Sequence, residues 1–114
     1  MQPKSPKLLE DIRDAAEFIR EAAQGLTLDD YRDDRRLRNA VERNFEIIGE
    51  AMKRLAQIDQ ETADRIGDSI QIIAFRNVLI HGYDRIADTQ VWHVITHDLS
   101  PLERQVSELL REAK

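Results

Sequence analysis

Between Leu37 and Ile58 the apolar residues recur at helical spacing over a long, uninterrupted stretch. Val41, Phe45, Ile48, Met52 and Leu55 form one stripe, and Ala40, Ile47, Ala51 and Ile58 form a second beside it. At about 100° per residue the two stripes merge into an apolar arc of roughly 160°, wider than a simple surface helix needs. A helix with so broad an apolar face must be surrounded, which commits a short chain to a helical bundle. The width of the arc fits a helix covered inside one bundle, and it equally fits one that also meets a second subunit.

The remaining segments supply the partners. Ser5-Pro6 is a helix start, a capping side chain followed by proline at the first helical position. Leu8, Ile12, Ala15, Ile19 and Ala22 follow at helical spacing, and Gly25 supplies a stop. Thr27 with Asp30 three residues on reads as another cap. The polar stretch from Asp29 to Arg36 is either a short helix of its own or the first turns of the long one. A further helix starts near Asp68 or Ser69 and ends at Gly82. Asp88 opens the next, and Ser100-Pro101 with Glu103 marks a start or a kink. Leu102, Val106 and Leu109 or Leu110 complete the seam. With no convincing strand, the expectation is an all-α, antiparallel bundle of four to five helices forming a single domain over residues 1–114.

Composition narrows the class. The 114 residues are 41% hydrophobic and 34% charged, a globular balance. A formal net charge of -5 argues against broad electrostatic capture of nucleic acid, so any phosphate binding must come from a local positive cleft. The absence of cysteine excludes disulfides and thiolate metal sites. No apolar run approaches a membrane span and the start, Met1-Gln2-Pro3-Lys4-Ser5, does not read as a signal peptide, so the cytoplasm is expected.

The chemistry concentrates in Arg76, Asn77, His81 and Tyr83, within Arg-Asn-Val-Leu-Ile-His-Gly-Tyr. Ser69-Ile70-Gln71-Ile72-Ile73-Ala74-Phe75 precedes them and Val78-Leu79-Ile80 runs between them, a segment that reads as a buried helix. Polar groups there need partners or a wet cleft. Asn77 and His81 lie about 40° apart on one helix face, whereas Arg76 and His81 are about 140° apart. That separation is awkward for two groups acting on one phosphate within one subunit, and a two-fold homodimer would bring a second Arg76 and His81 to a shared cleft. At the helix end the dipole favours protonated His81, and an imidazole titrating near neutrality suits a general acid or base. The planar fork of Arg76 matches phosphate oxygens. The bland alternative is an Arg76 paired with a carboxylate and a His81 that caps its helix.

Other groupings are weaker. His93 and His97 are four apart, but no third ligand is evident, so they read as surface histidines and no metal or cofactor is expected. Arg38, Glu42, Glu46, Glu50 and Arg54 step along one line of the long helix, a solvated face from which Glu46 or Glu50 could hold Arg76. Asp29 to Arg38 mixes signs and reads as surface, its basic end a candidate stretch for phosphate contacts, and Trp92 reads as core.

The Arg76, His81, Tyr83 spacing resembles the signature of the HEPN ribonucleases, and is most similar to the HepT toxins of nucleotidyltransferase–HEPN toxin–antitoxin pairs. Arg38 to Ala51 resembles that family's long central helix, and Asp88 to Leu102, with Trp92, resembles the segment after its motif. The resemblance implies a homodimeric HEPN bundle cleaving RNA, not DNA, without metal. Proton transfer falls to His81 and phosphate binding to Arg76, with Asn77 orienting His81 or bonding the phosphate. It further implies that Tyr83 accepts AMP from a minimal nucleotidyltransferase antitoxin, placing negative charge beside Arg76 and His81 as in a type VII toxin–antitoxin system. The rival expectation is an inactive helical subunit that binds or regulates such a nucleotidyltransferase.

Overall fold

A computed structural model describes residues 1–81 and 88–113, with the backbone alone described at residue 81. Every regular element among the described residues is helical: α1 (Ser5–Ala23), α2 (Leu28–Asp33), α3 (Arg35–Ile58), α4 (Gln60–Asp64), α5 (Ser69–His81), α6 (Asp88–His93) and α7 (Leu99–Glu112). A π-helical turn, Val94–Asp98, joins α6 to α7. The all-α bundle expected from the sequence is what forms.

The central helix α3 packs along α1 on one side and α5 on the other, while α7 closes against α1. Val41, Phe45, Ile48, Met52 and Leu55 are all buried, and they meet Leu9, Ile12, Ala16 and Ile19 of α1 and Leu102, Val106 and Leu109 of α7 in one core. The second stripe of α3 fares differently: Ala51 is buried, Ala40 and Ile47 are half-buried, and Ile58 is exposed. No described helix is long and apolar enough to cross a membrane.

The caps explain the boundaries. Gly25 takes a positive φ of 77°, which a side chain would resist, and turns the chain out of α1. Thr27 and Asp30 form a reciprocal capping box that starts α2 as a helix in its own right. Asp34 then caps α3 by accepting from the Leu37 N–H at 3.0 Å. α2 carries Tyr31 inward, so the stretch from Asp29 to Arg38 is not wholly surface as expected. Tyr31 is fully buried, its ring 5.6 Å from that of the half-buried Trp92. Burial, with the nearby Glu42 and Asp88 carboxylates, pushes the Tyr31 hydroxyl well above the usual phenol range.

Ser5 corrects a second expectation. It is not the cap of α1 but a buried donor, its hydroxyl 2.7 Å from Asp59 Oδ2. The Gln2 N–H and Thr62 Oγ1 donate to the same oxygen at 3.0 and 2.7 Å, and the Thr62 N–H donates to Oδ1 at 3.2 Å. One carboxylate thereby caps α4 and ties the start of the chain to the far end of α3. Near the other end, Leu99 donates back to Val94, which inserts a residue before α7. Pro101 then falls in the first turn of α7, where its missing N–H leaves no helical bond broken. Of the start or kink expected at Ser100-Pro101, the start is what forms, α7 beginning at Leu99 directly after the π turn.

The four hydrogen bonds, that from the Gln2 N–H first, hold the Asp59 carboxyl well below the usual range. A depressed carboxyl contributes stability above its unfolded pKa of about 3.9 and loses that contribution as pH falls toward its folded value. Asp59→Asn should therefore lower the melting temperature at pH 7, and the gap from wild type should narrow below about pH 4. Thermal melts by circular dichroism across that range measure it; a gap independent of pH would refute the assignment.

Candidate active site on α5 and α3

On α5 the helical register turns Ile72, Ile73, Phe75, Arg76 and Leu79 toward the rest of the bundle, each half-buried, and leaves Ile70, Ala74, Asn77 and Val78 exposed. The helix expected to be buried on every side is thus covered on one side only. Ile70 is 78% and Val78 51% exposed. Its apolar residues run all round because two faces need cover, and within one chain α3 is its main partner.

Arg76 is the polar residue on the covered side, with a side chain only 18% exposed. Its Nη2 donates to Glu50 Oε2 at 2.8 Å and its Nη1 to Asn77 Oδ1 at 3.0 Å. Its Nε is buried without a hydrogen-bond partner among the described residues. Gly49, one residue before Glu50, allows the approach: a Cβ built on it would lie 2.0 Å from Arg76 Cβ and 2.5 Å from Cγ. The edge-to-face contact of Phe45, one turn before Gly49, with Phe75, next to Arg76, has centroids 5.2 Å apart and holds the same two helices together.

Arg76 opens into a cleft of about 350 Å3 whose charged walls come from Arg43, Glu46, Glu50, Arg54 and Asp11. The two glutamates singled out by their register on α3 play different parts. Glu50 holds Arg76 and uses its other oxygen to accept from Arg54 Nε at 3.2 Å. Glu46 instead faces Arg43 at 3.5 Å. A guanidinium fork fixed on one edge by Glu50 and Asn77, beside an open cleft, is suited to oxyanions such as phosphate.

The other sequence candidates divide. Asn77 is exposed and bonded to Arg76. His81 closes α5, but its side chain and the whole of Tyr83 lie outside the described residues. His93 and His97 are exposed with rings stacked at 4.1 Å, and His97 Nδ1 lies 3.1 Å from the His93 carbonyl. No grouping of three metal-binding side chains occurs among the described residues. A cavity of about 360 Å3 beside α5 is lined by Phe45, Ile48, Ile72, Phe75 and Leu102 with no cationic residue, and Arg76 is not part of it. Two site residues escaped sequence reasoning. Gly49 carried a signal, since glycine inside a helix costs about 1 kcal/mol against alanine and so marks a close approach. Arg54 carried none beyond its four-residue step from Glu50.

Comparison with known proteins bears on this arrangement. The family described as Ribonuclease HepT-like matches residues 12–109. A protein of Caldanaerobacter subterraneus subsp. tengcongensis named "Putative RNase" is 34% identical over 112 residues, covering 97% of this chain and 99% of the relative. A "Probable ribonuclease HepT" of Thermococcus cleftensis is 30% identical, covering 89% of this chain and 91% of its own. The Methanocaldococcus jannaschii "Gamma-glutamylcyclotransferase and putative RNase" is also 30% identical, across 91% of this chain and 46% of the relative. No solved structure matches the chain.

The helix crossing yields a direct prediction. Gly49→Ala gains helix propensity yet forces α5 off α3, so it should destabilise the protein by about 1–3 kcal/mol in urea denaturation. Gly67→Ala is the control, because a Cβ there meets only Gln105 Nε2 at an ordinary 3.6 Å. Equal stability for the two variants would contradict the close contact.

Proposed function

The chain belongs to the HepT-like ribonuclease family, and from that premise we propose that it is a metal-independent endoribonuclease toxin working as a homodimer. The observation that carries this reading is Arg76, the first residue of the motif, held by Glu50 at 2.8 Å in an open cleft. In the reaction the RNA 2′-hydroxyl attacks the adjacent phosphorus and the bond to the 5′-oxygen breaks. One His81 takes the proton from the 2′-hydroxyl, and the partner's imidazole returns one to the departing 5′-oxygen. Arg76 binds the non-bridging oxygens as negative charge builds on them. Asn77, bonded to Arg76, steadies that fork. The products are a 2′,3′-cyclic phosphate and a 5′-hydroxyl, and DNA, lacking the attacking group, is inert.

The dimer reading draws on the uncovered face of α5, where Ile70 and Val78 are 78% and 51% exposed. Neighbouring apolar residues this open to water favour burial against another chain. A second copy answers the awkward separation of Arg76 and His81 by contributing its own pair. Tyr83, two residues beyond His81, is the acceptor for AMP delivered by a nucleotidyltransferase antitoxin in the cytoplasm, and the added phosphate competes with RNA for the site's cations.

Purified wild-type protein in chelator should cut single-stranded RNA to cyclic-phosphate ends and leave DNA whole. His81→Ala should lower kcat about 10²–10⁴-fold with the helical circular-dichroism signal unchanged. Val78→Glu should yield folded monomers by light scattering, with cleavage lost. Intact RNA with the unmodified wild-type protein would overturn the ribonuclease reading and favour an inactive regulatory subunit. Mass spectrometry after co-expression with a nucleotidyltransferase tests Tyr83, an adduct elsewhere counting against it.

A further inference from the structure

Glu50 is bonded on both sides. Its Oε2 lies 2.8 Å from Arg76 Nη2 and its Oε1 3.2 Å from Arg54 Nε, so one carboxylate stands between two guanidiniums. The three groups together carry one positive charge, in a chain whose formal net charge is -5. The two arginines differ in access: Arg54 is 65% exposed, whereas Arg76 is 18% exposed. An isolated pair one helical turn apart on an exposed face stabilises by only about 0.3–0.5 kcal/mol, so stability is a poor reason for Arg54 to sit there. The shared carboxylate brings two guanidiniums to one cleft, which Arg43, about three turns before Arg54 on the same helix, also lines.

We propose that Arg54 is a second RNA-binding residue of this cleft, gripping the phosphate next to the scissile one while Arg76 holds the scissile phosphate itself. The assignment rests on the ribonuclease reading and extends it to how the strand is held. Glu50 fixes the spacing of the two guanidiniums, since each is anchored on a different oxygen of the same carboxylate. Its single charge leaves both cations free to bond phosphate through their remaining N–H groups. The occupant is single-stranded RNA, whose neighbouring phosphates can reach two cations set on one carboxylate beside the same open cleft. Arg54 contacts no reacting atom, so its effect falls on binding and not on the chemical step.

The test is binding of a fluorescently labelled single-stranded RNA oligonucleotide, by anisotropy across a salt series, to the uncleaving His81→Ala protein. Adding Arg54→Ala should weaken binding about tenfold and reduce the slope of log affinity against log salt by about 0.7, one phosphate's worth. Arg54→Lys, which keeps the charge, should keep the slope. Arg65→Ala, which removes an exposed arginine paired with Glu112 elsewhere, should change neither. In cleavage by protein with His81 intact, Arg54→Ala should raise KM and leave kcat within about twofold. An unchanged slope with Arg54→Ala, while the wild type still cuts RNA, would overturn this inference and leave the ribonuclease reading standing. A melting temperature lowered by Arg54→Ala with binding unaltered would mark a purely structural pair and overturn it as well. A wild type that neither binds nor cuts RNA would remove both.

Discussion

The missing side chain at Gly49 is the constraint on which the site depends. A Cβ there would collide with Arg76, so the distance between α3 and α5 is set by the absence of one atom. Only at that distance does Glu50, the next residue, reach the Arg76 guanidinium at 2.8 Å. Separating the helices would leave a partly buried cation without its carboxylate, a costly state because a charge withdrawn from water must be paired. Packing and electrostatics are therefore joined at one turn of α3. The apolar contact of Phe45, one turn before Gly49, with Phe75, the neighbour of Arg76, braces the crossing by dispersion beside the ion pair.

The same crossing explains why α5 looks so different in sequence and in space. Its residues are apolar on nearly every side, yet Ile70 and Val78 have little cover among the described residues. A helix facing water on one side would ordinarily carry charge there, as α1 does with Glu10, Asp14, Glu17 and Glu21. That α5 carries Ile70, Ala74 and Val78 instead is costly to solubility unless something else covers it. Beyond Ser69 and Gln71 at its start, the polar residues of α5 are those of the motif. The motif residues and the uncovered surface thus share one helix, and any second chain seated on it would border the Arg76 cleft through Ile80, which lines that cleft.

Legibility in the sequence follows the range of the interactions. Elements governed by neighbours in the chain were readable: Gly25 as a stop, Thr27 with Asp30 as a reciprocal cap, Ser69 and Asp88 as helix starts, and the buried stripe of α3. Elements governed by distant partners were not. Ser5 has the composition of a cap but bonds to Asp59, 54 residues away. Tyr31 sits among charges in the sequence, and only the angle of α2 brings it under Trp92. The uncovered face of α5 could not be foreseen because apolar periodicity reports how much surface seeks burial, not which chain supplies the cover. For the site, the register of α3 narrowed the partner of Arg76 to Glu46 or Glu50. Choosing between them required the crossing at Gly49, which turns Glu50 toward α5 and leaves Glu46 to Arg43.

A chain with a formal net charge of -5 can still favour an anion locally, because screening confines exposed charges to a neighbourhood of about 8–10 Å. Many of the acidic side chains are spent within their own pairs: Asp11 with Lys7, Glu103 with Arg20, Glu112 with Arg65. At the Arg76 cleft the pairing is unequal, since Glu50 serves two guanidiniums and so neutralises neither fully. With Glu46 facing Arg43 and Asp11 paired to Lys7, the cluster of Glu50, Arg54 and Arg76 keeps one positive charge by sharing and not by abundance. This arrangement keeps both terminal nitrogens of Arg76 bonded before an anion arrives and leaves further N–H groups on both arginines able to donate to it. It also sets a sign: adding negative charge to the cleft would fill the same donors and close the site, whereas adding it to the distant face of α1 would not.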